Sequence, residues 1–98
     1  FAVMLAAGLE GIEQNYELPP SIEPNIYKMT PDQRQAIGLG ALPNNLYEAI
    51  TETQHSELVQ RTLGEHVFER FITNKLTEWY EYREQVSSFE IERYFSVL

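Results

Sequence analysis

The first twelve residues, FAVMLAAGLEGI, place apolar and small side chains on nearly every side of a helix. Val3, Met4, Leu5, Leu9 and Ile12 are apolar; Ala2, Ala6, Ala7, Gly8 and Gly11 are small. A helix that is apolar nearly all round belongs to an interior, so residues 1–14 are expected to form a buried helix. Its small residues would admit a neighbouring backbone at close range. The next stretch, residues 15–30, carries Pro19, Pro20 and Pro24. Proline fixes φ and lacks an amide hydrogen, which predicts an extended surface strap. Tyr16, Leu18, Ile22, Ile26, Tyr27 and Met29 are its expected anchors.

Helical periodicity returns after the strap. Thr30-Pro31-Asp32 is a helix start: a hydroxyl to accept from an early amide, proline at the first helical position, and an acid near the positive end of the dipole. Gly38 and Gly40 are expected to close that helix. A second short helix opens at Asn44 or Asn45 and turns Leu46, Ala49, Ile50 and Thr53 to one side. A third holds Leu58, Val59 and Leu63 and stops at Gly64, so residues 31–63 form a set of short helices. Residues 64–86 hold the longest helix, with Phe68, Phe71, Ile72, Leu76, Trp79, Tyr82 and Val86 recurring at three- and four-residue spacing. Ser87 and Glu90 form a capping-box pattern that opens a last helix in residues 87–98. Phe89, Ile91, Tyr94, Phe95 and Leu98 give it more apolar surface than a chain terminus needs, which marks it as a docking element. No strand pattern or internal repeat competes, and the predicted class is all-α in a single unit.

Charge narrows the partners. The net charge of −8 leaves no basic patch for phosphates, which argues against nucleic acid and against an anionic membrane surface. The apolar opening is interrupted by Glu10 and Glu13 before it reaches the ~20 residues of a membrane span. It also lacks the basic lead-in of a signal peptide. The absence of cysteine excludes disulfides and thiolate metal sites and suits a cytoplasmic protein.

Catalytic chemistry is harder to place. His66, with Glu65 and Glu69, is the one local grouping that suggests metal ligation, but a competent zinc site takes three or four converging ligands. The many carboxylates read as solvated helix faces, and no pair is set apart as an acid and a base. Gly38 and Gly40 are too few for a phosphate loop and follow no strand. Trp79, Tyr80 and Tyr82 are expected in a core and not as a recognition platform. No catalytic, cofactor-binding or metal-binding residue is assigned in this chain.

Taken with their order, these segments resemble one region of the type I glutamine synthetases. FAVMLAAGLEGIEQNYELPP is similar to the Ala-rich helix that follows an Asn-Pro-Tyr-Leu segment in that family. EPNIYKMTPDQRQAIGLGALPNNLYEAI resembles its strap, short helix and Leu-Pro-x-x-Leu-x-Glu-Ala segment. LGEHVFERFITNKLTEWYEYREQVSSFEIERYFSVL resembles its C-terminal end. The resemblance implies the C-terminal part of an enzyme that joins ammonia to glutamate through a γ-glutamyl phosphate, using ATP and Mg²⁺ or Mn²⁺. The family's metal and substrate residues lie in motifs upstream of Phe1, so the implied piece is inactive alone. The abrupt apolar start fits a joint interior to a longer chain.

The resemblance also implies partners. Family members assemble as two face-to-face hexameric rings, and the C-terminal helix enters a subunit of the opposite ring; the matching residues are Phe89 to Leu98. The implied partners are other synthetase subunits and the catalytic portion, and an isolated piece is expected to self-associate. Tyr27 matches the tyrosine adenylylated in one subgroup, but Lys28, Met29 and Thr30 depart from that subgroup's flanking sequence and resemble the subgroup without this control. The alternative is a self-standing α-helical interaction module.

Overall fold

The computed structural model describes residues 1–97. Six α-helices follow one another: α1 Ala2–Glu13, α2 Pro31–Ala36, α3 Leu46–Gln54, α4 Glu57–Leu63, α5 Glu65–Arg83 and α6 Ser88–Tyr94. A 3₁₀ turn, Ile26–Lys28, interrupts the strap. The fold is all-α, with no strand among the described residues.

Local chemistry sets most boundaries. Thr30 caps α2 in a reciprocal box: its hydroxyl accepts from the Gln33 amide at 3.3 Å, and the Gln33 side chain accepts from the Thr30 amide at 2.9 Å. Asn45 caps α3, accepting from the Glu48 amide at 2.9 Å, and Ser56 caps α4 through the Val59 amide. α1 ends at an unexpected residue, Asn15, with φ of 53°. The Tyr16 amide reaches back to the Gly11 carbonyl at 2.9 Å and the Asn15 amide to Ile12 at 3.2 Å, a Schellman closure. Gly38, at φ 75°, closes α2 in the same way through Leu39 and Arg34. Gly64 ends α4 and opens α5 at φ 75° and ψ 155°, a conformation that side-chain-bearing residues avoid.

The buried core sits among α3, α4 and α5, while the most extensive helix pairing is that of α1 on α4. Ile50, Phe68 and Ile72 form the buried core, surrounded by Leu46, Val59, Leu63, Leu76 and Trp79. α1 lies against α4, while α2 and α6 have no extensive helix–helix packing. The stripe expected along α5 is therefore narrower than its periodicity suggested. Phe68, Ile72, Leu76 and Trp79 turn inward, whereas Phe71, Tyr82 and Val86 stay exposed because no helix covers that side. In the strap, Leu18 and Tyr27 point to solvent, so they do not anchor it; Ile22 and Met29 line a groove against Ile37 and Leu39.

The molecule is a thin slab. Its extents are 59 × 42 × 19 Å and its radius of gyration is 19.0 Å, against about 13 Å for a compact chain of this length. Nineteen ångströms spans about two helices packed side by side at their usual 8–10 Å spacing, so no helix is enclosed on all sides.

Candidate functional site

The exposed apolar surface is the feature with functional content. The chain exposes 9094 Å², where a compact 11.4 kDa monomer would expose about 5,800 Å². The difference, roughly 3,300 Å², is larger than one partner's share of a standard protein–protein interface, about 800 Å².

Two helices carry much of it. In α1, the half-buried Val3, Ala6 and Glu10 face α4. Phe1, Met4, Leu5, Gly8 and Ile12, spaced at i, i+3, i+4, i+7 and i+11, fall on the opposite side and are exposed. Both acids of the helix, Glu10 and Glu13, border the crevice against α4, so the outward face carries no charge. This inverts the usual surface helix, which turns charge to water and apolar groups inward. A side chain at Gly8 would meet no atom within 4 Å. The burial expected for residues 1–14 is not supplied by the described residues.

In α6, Phe89, Ile91, Tyr94 and Phe95 are all exposed, with Val86 before them and Val97 after. Leu98, the remaining docking residue from the sequence, lies outside the described residues. The helix is short but firmly started. The Ser87 hydroxyl accepts from the Glu90 amide at 3.2 Å, and a Glu90 carboxylate oxygen accepts from the Ser87 amide at 2.8 Å and from its hydroxyl at 2.7 Å. The Ser87 amide, and then its hydroxyl, hold the Glu90 carboxyl below its ordinary value of 4.5.

Tyr27 stands on the 3₁₀ turn, 95% exposed. The Asn25 side chain fixes that turn by accepting from the Tyr27 amide at 3.0 Å. The aromatic trio divides: Trp79 packs on the core, its ring centroid 6.0 Å from that of Tyr47 and 6.5 Å from that of Tyr82, while Tyr80 and Tyr82 are exposed.

His66 sits exposed beside Val67, Arg70, Phe71 and Asn74 in an open depression. Glu65 and Glu69 are exposed as well, and no three histidine, aspartate or glutamate side chains converge among the described residues. The described residues therefore do not fit the metal ions that the sequence resemblance implies. No helix among them is long and apolar enough to cross a membrane.

One polar cluster was invisible in the sequence. Glu10 of α1 pairs with Arg61 of α4 and accepts from the Tyr16 hydroxyl at 3.1 Å. Glu10 and Arg61 are fifty-one positions apart, so no local spacing rule would find them.

Known proteins are similar to this sequence along nearly its whole length. The chain is 47% identical over 97 residues to a glutamine synthetase of Mycobacterium tuberculosis (strain ATCC 25618 / H37Rv), covering 99% of this chain and 22% of that relative. It is 41% identical over 95 residues to a glutamine synthetase of Clostridium saccharobutylicum, covering 97% of this chain and 21% of the relative. A glutamine synthetase of Staphylococcus epidermidis (strain ATCC 12228 / FDA PCI 1200) is 41% identical over 93 residues. The chain thus spans about a fifth of the length of these curated relatives, and the matched stretch is their C-terminal region. Residues 1–94 match the family described as glutamine synthetase, catalytic domain, and the chain belongs to that family.

Proposed function

We propose that these residues are the C-terminal helical segment of a glutamate–ammonia ligase, and that the segment supplies packing and subunit contacts without catalytic groups. The observation that carries this reading is the roughly 3,300 Å² of surface beyond that of a compact monomer, to which the uncharged outward face of α1 and the exposed apolar side chains of α6 contribute. In this reading the outward face of α1 packs against the preceding catalytic portion, and Phe89, Ile91, Tyr94 and Phe95 of α6, with Leu98 beyond it, dock on another subunit. ATP and Mg²⁺ or Mn²⁺ serve the reaction from residues elsewhere in the longer chain, in the cytoplasm. Tyr27, flanked by Lys28 and Met29, is an exposed tyrosine of the subgroup that is not adenylylated.

The test removes residues 87–98 from the longer chain. Subunit assembly, measured by sedimentation, is expected to fall apart, with glutamine formation from glutamate, ammonia and ATP lost alongside it. Intact assembly without these residues would overturn the docking role. The 98-residue chain alone is expected to self-associate in light scattering and to form no glutamine. Ligase activity from that chain would sink the claim that it holds no catalytic groups.

A further inference from the structure

Glu10 joins three elements through one carboxylate. Oε1 accepts from the Tyr16 hydroxyl at 3.1 Å, at the point where the strap leaves α1. Oε2 pairs with the Arg61 guanidinium in the last turn of α4, where the Glu10 side chain is half-buried and that of Arg61 largely exposed. Tyr16 is held there from the backbone as well, because its amide closes the Schellman turn on Gly11. Glu57, one turn earlier on the same helix, is a nearer acid in sequence, yet Arg61 pairs across to α1. Among the described residues the only other ion pair, Lys75–Glu78, lies within one helix. A charge pair between elements fixes rotation in a way that apolar contact does not. Small side chains such as Ala6 would let α1 turn about its axis against α4, whereas a half-buried carboxylate paired across the two helices favours the rotation that keeps it beside its cation.

We propose that Glu10 is a positioning residue: it clamps α1 at one rotation on α4 and sets the exit of the strap. The uncharged face of Phe1, Met4, Leu5, Gly8 and Ile12 is thereby held away from the α3–α5 body and toward the rest of the catalytic domain. This rests on the reading that α1 packs against that domain.

The experiment uses the longer synthetase chain and follows amide hydrogen exchange by mass spectrometry. Arg61→Ala is expected to speed exchange in a peptide spanning residues 10–18 by about five-fold, the scale of a weak ion pair, and to leave peptides from α5 unchanged. Arg61→Lys, which keeps the charge, should stay within about two-fold of the parent. The reciprocal swap, Glu10→Arg with Arg61→Glu, should bring exchange part of the way back to the parent, because the charge pair returns while the Tyr16 hydroxyl loses its acceptor, a rescue that loss of packing would not give. Exchange unaltered in Arg61→Ala, or a swap no better than Arg61→Ala, overturns the clamp. Gly8→Arg, which leaves Glu10 untouched, addresses the underlying reading separately and is expected to abolish ligase activity. If Gly8→Arg is active while Arg61→Ala opens the junction, the clamp stands and α1 packs elsewhere. If Gly8→Arg is inactive and Arg61→Ala changes nothing, the packing reading stands and the clamp falls.

Discussion

The α3–α5 body and the outlying α1 and α6 are built from similar residues but solve opposite problems. In the body, Ile50, Phe68 and Ile72 meet one another, and charged groups such as Glu65, Glu69 and Glu78 turn to water. In α1 and α6, side chains of equal size, Met4, Ile12, Phe89 and Phe95, face water. Apolar content therefore does not distinguish an interior from an interface. What distinguishes them is whether the same chain provides the opposing surface.

The largest effect expected to break this comparison comes from Phe68→Ala. Removing a buried aromatic from a three-residue core should cost about 3–5 kcal/mol and abolish cooperative thermal unfolding monitored by circular dichroism. The matched change in α6, Phe89→Ala, should stay within about 0.5 kcal/mol in the same chain, since that ring is already exposed. An equal loss from both would erase the distinction between the two regions. Next in size is Gly64→Ala, which forces a side chain into φ 75° between α4 and α5. Strain at such a position costs about 1–3 kcal/mol, and chemical denaturation should show the body weakened by that much.

Gly8→Ala sharpens the comparison because its sign depends on context. In the 98-residue chain the position is open, so alanine should stabilise α1 by about 0.5–1 kcal/mol through helix propensity. In the longer chain the same methyl should lower the melting temperature if another backbone lies close over Gly8. Gain in both contexts would mean that nothing packs tightly there. The smallest effect is acidic fraying. The Asn44 backbone amide, then its side chain and that of Asn45, hold the Glu48 carboxyl below 4.5; Ser87 does the same for Glu90. A lowered folded value means that this stabilisation is complete above the ordinary carboxylate range and is lost as pH falls through the folded value. Helicity at the starts of α3 and α6 should decline as pH falls below 4.5. Residue-resolved NMR shifts across an acid titration would reveal whether the loss is local to those caps.

Much of this division was legible in the sequence where the determinants are local. Thr30-Pro31-Asp32 and Ser87 with Glu90 announce helix starts because capping needs only three or four consecutive residues. Asn45 was one of two named caps for α3, and Gly64 ends α4 as its missing Cβ suggests. Determinants that depend on distant elements were not legible. Phe71, Tyr82 and Val86 share the periodicity of Phe68 and Ile72, but only the latter meet α3 and α4. Asn15 gives little sign of being a helix stop, because asparagine adopts the left-handed conformation less often than glycine and carries a weaker signal. The Glu10–Arg61 pair required knowing that α1 returns to α4 after the strap. For the candidate surface, sequence marked the unusual apolarity of α1 and α6, while the confinement of both acids of α1 to the α4 side needed the packing.

The position of Trp79 has a practical consequence for anyone watching this molecule in solution. It is the only tryptophan, and its indole lies between Tyr47 of α3 and Tyr82 of α5 at the edge of the buried core. Excitation energy absorbed by Tyr47 should pass to it across the two helices, while Tyr82, on α5 itself, contributes whether or not α3 is in place; the Tyr47 share of the indole emission is a built-in optical gauge of whether α3 and α5 are together. The same gauge lies apart from α1 and α6. A titration that changes scattering but leaves tryptophan emission constant would report outlying helices finding a partner while the body stays as it was.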